Sequence, residues 1–269
     1  MRKVTVFQKS NKAKKEQIFN LLLGSSVIIL FLASWEFLFQ FKVVNPLFIS
    51  APSRVVLAEI TMIKDGSLLS NLSVSAKEFL LGYGAAIIIG FPFGIMLGWF
   101  KLIRGSFGPF IAALQATPRI ALMPLFIIWF GLGITSKIVV VLMSAIFPLI
   151  VNLRVAMTTI DSDLIHVARA YGASRWQIFR SIAFPTSLPF LMTGLRLAAG
   201  RGLLGVIVAE VFGGAEGIGY MIQYAGSTFQ TDKVFASVLV VAVTGITLDF
   251  TLDRLGRYFD RWRGEVAVH

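Results

Sequence analysis

Uncharged stretches of membrane-crossing length limit this chain more than any other feature. Residues 79–100 and 138–153 contain no Asp, Glu, Lys or Arg, and residues 18–40 contain Glu36 alone. A helix crosses bilayer hydrocarbon with about 20 mainly apolar residues. Composition agrees: 56% of residues are hydrophobic and 14% charged, with mean hydropathy +0.79. Soluble domains run at roughly 45–50% apolar and about 25% charged. A soluble protein with an oversized core has no need of charge-free runs this long. The first stretch also exceeds the roughly 7–15 residues of a signal-peptide core, and no small-residue cleavage site follows it. It reads as a retained span.

Six spans follow, at about 18–40, 79–100, 107–134, 138–157, 188–212 and 234–255, making an all-α membrane protein. They form one transmembrane domain, 18–255, between a basic segment, 1–17, and a tail, 256–269. The net charge of +11 is placed beside spans rather than in a nucleic-acid-binding patch. With the N-terminus inside, sixteen Lys and Arg fall in cytoplasmic segments (six of them in 1–17) and six fall outside: Lys42, Arg54, Lys64, Lys77, Lys137 and Lys233. By the positive-inside rule both termini are cytoplasmic. Residues 52–65 read as a short amphipathic helix on the outer side, with Val56, Ile60 and Ile63 on one face.

Small residues recur every four positions in span two, at Gly82, Ala86, Gly90, Gly94 and Gly98, and in span five at Gly194, Ala198 and Gly202. At 3.6 residues per turn these are helix-packing ridges. Small residues let membrane helices approach closely. They serve either ordinary packing or a moving interface. Span three puts Thr117, Pro118 and Arg119 where a continuous helix would run. An in-span arginine faces protein or water, because lipid is costly for it. Arg119 therefore borders a translocation path, pairs internally or snorkels to an interface. Glu210, toward the outer end of span five, is a further path candidate or a capping group. Glu36 reads as a capping or pairing group, and Arg196 and Arg201 read as structural.

Residues 159–187 form the longest cytoplasmic segment. Asp161, Ser162 and Asp163 suit a helix start. Leu164, Val167, Ala168 and Tyr171 then recur at i, i+3, i+4 and i+7, one apolar face. Gly172 stops that helix, and Ser174 caps a second through Trp176, Ile178 and Phe179. Arg169, Arg175 and Arg180 make a basic rim. On physical grounds such a knob either lies on anionic lipid or docks a partner.

These residues carry a resemblance to the permeases of binding-protein-dependent ATP-binding-cassette importers. That family's loop reads Glu-Ala-Ala, three residues, Gly, about nine residues, Ile-x-Leu-Pro. Here Ala168, Gly172, Ile182 and Pro185 match in register, while His166, Val167 and Phe184 depart from it. Residues 45–53, 66–68, 117–125, 128–133 and 217–222 resemble the nitrate/sulfonate/taurine branch. The resemblance implies a type I importer permease fold and a role as the membrane path for a small solute, in a cell (inner) membrane. A sulfonate-, nitrate- or taurine-like anion or a vitamin precursor is the implied solute class. It also implies a second permease copy, two ATPase subunits and a periplasmic or lipid-anchored binding protein. The ATPase would dock on Leu164, His166, Val167, Ala168, Arg169, Tyr171, Gly172 and Arg175. No cofactor is expected on this chain: ATP would be bound by the partner, since no Gly-x-x-x-x-Gly-Lys-[Ser/Thr] loop occurs here.

Three other classes fit less well. A secondary transporter should show inverted repeats and ionisable pairs within the membrane, and the sequence displays no repeat. An intramembrane enzyme needs a nucleophile–base or metal-ligand set. The two histidines lie outside the spans and cysteine is absent. A non-transport assembly protein has no positive signal in its favour.

Overall fold

A computed structural model describes residues 2–259, with side chains except those of 2–18, 21, 119, 120, 258 and 259. Eleven α-helices account for the secondary structure, with a 3-10 turn and a π-turn, and there is no strand among the described residues. They are α1 (Arg2–Gln40), α2 (Pro52–Lys64), α3 (Ser67–Trp99), α4 (Lys101–Ala116), α5 (Met123–Phe130) and α6 (Ile134–Thr158). After them come α7 (Ser162–Ala170), α8 (Arg175–Ile178), α9 (Phe184–Gly213), α10 (Ile218–Ser227) and α11 (Thr231–Phe259).

The core is built from three long helices, with α6 packed against both α3 and α9. Glycine permits this closeness. A Cβ on Gly82 would lie 2.5 Å from Val141 Cβ, one on Gly94 would lie 2.9 Å from Leu153 Cβ, and one on Gly98 would overlap Met157 Cβ. Ala86, Leu149, Leu153 and Ala198 are fully excluded from solvent in the seam. On α9, a Cβ on Gly194 would lie 3.1 Å from Asn152 Cβ, and one on Gly202 would lie 3.2 Å from the Phe79 ring. The four-residue spacing therefore yields one continuous packed layer.

Among the described residues, four helices have the length and hydropathy of single spans: Leu22–Gln40, Ser67–Trp99, Ile134–Thr158 and Thr231–Arg257. The region drawn as one span at 107–134 is not one helix. Pro118 disfavours helical backbone in the residue before it, and Thr117 is extended at φ −69, ψ 128. A 3-10 turn over Arg119–Leu122 leads into α5, which begins with a proline in its first turn. Residues 188–212 fall inside α9, whose thirty residues include Arg196, Arg201 and Glu210. Helix α3 begins well before residue 79, and α6 before residue 138. Lys77 and Lys137, counted above as loop residues, therefore belong to helices. Residues 256–259 continue α11, and the rest of the tail lies outside the described residues.

Helix α2 carries two apolar faces. Val55 and Met62 are buried toward the bundle, whereas Val56, Ile60 and Ile63 remain exposed. A polar knot joins this region. Trp35 Nε1 donates to the Ser50 carbonyl at 2.7 Å, and Ser50 Oγ donates to Asp232 at 2.6 Å. Arg54 pairs with the same Asp232 at 2.8 Å. Glu36 accepts from both the N–H and the hydroxyl of Ser53, which caps α2 from a neighbouring helix. Asp65 accepts from the Ser67 hydroxyl and N–H at the start of α3, and these bonds hold its carboxyl below the usual carboxylate range.

Candidate functional site

At one end of the bundle the segment from 159 to 187 forms a helix, a glycine turn and a second helix. Asp161 accepts from Asp163 N–H at the start of α7. At the other end, Gly172 N–H donates to Arg169 O at 2.9 Å and Ala173 N–H donates to Ala168 O at 3.0 Å. This is the paired-bond termination that needs a left-handed residue, and Gly172 has φ +79. Ser174 and Gln177 close a reciprocal capping box on α8.

Helix α7 buries none of its residues. Leu164 is 53% exposed, Val167 54% and Tyr171 89%. His166, Arg169 and Arg175 are exposed beside them, and Ala168 is half-buried. The apolar face of α7 is therefore uncovered in the single chain. Trp176 is exposed as well, while Ile178 is buried and anchors α8.

The region around Thr117, Pro118 and Arg119 is the break between α4 and α5. Thr117 Oγ1 donates to the Ala113 carbonyl at 3.0 Å, and Pro118 is exposed. The Arg119 side chain lies outside the described residues. Glu210 sits elsewhere. It is 0% exposed, and its Oε2 accepts from Gly219 N–H at 2.7 Å, tying α9 to α10. Arg196 grips α11 through Asp249 at 2.9 Å and Asp253 at 2.6 Å.

One cluster escaped the sequence reading. Lys137 Nζ donates to Glu78 Oε1 at 2.8 Å, with both side chains almost wholly buried. Glu210 lies beside Glu78. Glu78 Oε2 and Glu210 Oε1 lack partners. Ser75 and Asn71 accept from the N–H groups of Ile218 and Gly217, so the same junction holds the start of α10. The four-residue ridges contained the signal. One step back from Gly82 is Glu78, and two steps on from Gly202 is Glu210. No group of metal-ligating side chains occurs among the described residues.

Comparison with known proteins agrees with the loop. The profile of the family described as "Binding-protein-dependent transport system inner membrane component" matches residues 90–264. The chain is 31% identical over 249 residues to the taurine transport system permease protein TauC of Escherichia coli, covering 91% of this chain and 90% of that one. It is 34% identical over 242 residues to SsuC of Bacillus subtilis, described as an aliphatic sulfonates transport permease protein, with 90% and 87% covered. Identity to the riboflavin transport system permease protein RibX of Chloroflexus aurantiacus is 35% over 162 residues, 60% of each chain. Among solved structures, the inward-facing MetNI methionine ABC transporter superimposes with TM-score 0.62 at 20% identity, over 70% of this chain and 94% of that one. Fold and sequence together define the permease component of an ATP-binding-cassette importer, an inner-membrane transport protein and not an enzyme. The chain belongs to the family of binding-protein-dependent transport system inner membrane components.

Proposed function

We propose that two copies of this chain form the path for a small sulfonate-type anion, which a separate solute-binding protein delivers to the outer face. Two ATPase subunits bind ATP and seat on α7, one on each copy, at the face of Leu164, Val167 and Tyr171. The observation that carries this reading is the uncovered apolar face of α7, held out by the Gly172 turn. Six crossings with both termini cytoplasmic complete the arrangement. In support, α11 starts beside α2, where α1 ends, and α11 is pinned by Arg196 near the loop end. Thr117, Pro118 and Arg119 border the path. Glu210 joins it only if α10 moves. The anion is argued from the names of two relatives, for taurine and for aliphatic sulfonates. The second reading is a riboflavin-like vitamin, favoured by the likeness to RibX.

Two experiments separate the parts. Gly172→Val forces a β-branched residue into left-handed backbone and should abolish ATPase co-purification while leaving membrane insertion intact. Retained co-purification would remove the docking reading. Proteoliposomes holding the permease, its ATPase and its binding protein should take up labelled taurine in an ATP-dependent way. Uptake of labelled riboflavin in its place selects the second reading.

A further inference from the structure

Between the exposed α7 and the three-helix core lies a run of stacked aromatic rings. Trp176 lies over Phe179 with centroids 5.5 Å apart and planes 23° from parallel. Phe179 meets Trp99, the last residue of α3, edge to face at 5.3 Å. It also meets Phe184 at 6.2 Å, and Phe184 meets Phe91 of α3 at 6.5 Å. Edge-to-face and offset ring pairs add about 0.5–1.5 kcal/mol beyond area burial and fix orientation.

The backbone beneath the rings is unusual. Residues Phe179–Ala183 form a π-turn between α8 and α9. Such single turns are underwound and recur at functional positions. The module from 159 to 187 thus has two kinds of attachment. Its covalent exit to α9 runs through an irregular turn. Its side-chain attachment runs through Phe179 to the end of α3, which the Gly82–Gly98 ridge clamps to α6 along its length. Relative rotation is most readily absorbed at the π-turn, and a push on α7 is delivered through the rings to α3.

We propose that Phe179 is a positioning residue for transport coupling: packed edge to face against Trp99, it makes the loop module and α3 one rigid body, and the π-turn takes up the motion relative to α9. This rests on the reading that the ATPase docks on α7. Rigid bodies with a discrete joint are how a small displacement at one site becomes a packed-helix movement elsewhere. The contact lies outside the proposed docking face, so loss of docking and loss of transmission are separable.

The chain contains no cysteine, so two introduced cysteines can be spin-labelled without background. Labels at Ala170→Cys on α7 and Ile88→Cys on the exposed side of α3 report their separation by pulsed electron resonance. The sample is the assembled permease–ATPase complex in which one permease copy, labelled before assembly, carries the pair and the other carries none, with and without ATP. With Phe179 in place the distance distribution should be narrow and unchanged by ATP. Phe179→Leu, which keeps apolar volume but loses the ring, should co-purify with the ATPase at the unmodified ratio yet show an ATP-dependent shift or broadening. Trp99→Leu should do the same, and Phe179→Tyr should restore the narrow distribution. Three results overturn the proposal: an ATP-dependent distance with Phe179 intact, an unchanged distribution in both leucine variants, or loss of ATPase co-purification in them. Failure of the docking reading appears separately, as Gly172→Val retaining the ATPase.

Discussion

Replacing Lys137 with methionine tests whether the buried cluster is an ion pair that the fold depends on. Lys137 and Glu78 side chains are 7% and 2% exposed, so water screens neither. Methionine preserves much of the lysine's apolar stem but removes the donor on Glu78 Oε1. Glu78 Oε2 already lacks a partner, so the whole carboxylate is then left bare, with Glu210 beside it. Breaking a buried pair by deleting one partner costs about 3–5 kcal/mol. Protonation limits that cost. The carboxylate escapes by taking up a proton, at about 1.36 kcal/mol for each pH unit above its ordinary value near 4.3. At pH 7 that is about 3.7 kcal/mol, and at pH 5 it is about 1 kcal/mol. In this variant the folded state holds a proton that the unfolded chain releases, so stability relative to the parent falls as pH rises through that window. Thermal melts in lipid nanodiscs at pH 7 should lie roughly 7–15 °C below the parent, and the gap should shrink several-fold at pH 5. The Glu78→Gln/Lys137→Met pair, with its charge removed, should recover much of the loss. Equal melts at pH 7, or a gap that does not close at pH 5, would show that the fold does not depend on the Lys137–Glu78 ion pair.

Other consequences of the packing are simpler to check. Gly98→Ala drives a methyl into Met157 and should cost about 1–3 kcal/mol, whereas Gly84→Ala, with nothing within 4 Å, should be neutral or stabilising by up to about 1 kcal/mol; paired thermal melts distinguish them. Arg196→Gln removes the tie from α9 to α11. The guanidinium is 36% exposed and Asp249 58%, so the expected loss is only about 1 kcal/mol. Limited proteolysis of the α11 end should nonetheless accelerate.

The long helices were legible because their signal is local. Residues 79–100 and 138–153 are uncharged, and α3 and α6 contain them. The turn at Gly172 and the caps at Asp161 and Ser174 were legible for the same reason, since each rests on side chains within three or four residues of the backbone they satisfy. Helix ends in the charged flanks were not. Lys77 and Glu78 look like loop residues to a hydropathy window, yet α3 starts at Ser67 because Asp65 and the left-handed Gly66 begin it there. The break at Thr117 was visible as a proline, but its consequence, two helices in place of one, depends on how α5 packs onto α6 and α9.

The buried charges show where such reading stops and how it can go further. The small-residue pattern ends at Gly82 on α3 and at Gly202 on α9, but the buried face continues. The physical quantity is the helix face, which does not end where the glycines do. Continued backward, the α3 ridge arrives at Glu78. Continued forward, the α9 ridge passes Val206 and arrives at Glu210, which faces the α10 turn. On α6, four residues before the Val141 that fills the notch at Gly82, stands Lys137. Each charge lies on the buried side of its helix because the ridge that precedes or follows it is buried. Partners across a three-helix seam are therefore predictable wherever two such ridges end in opposite charge.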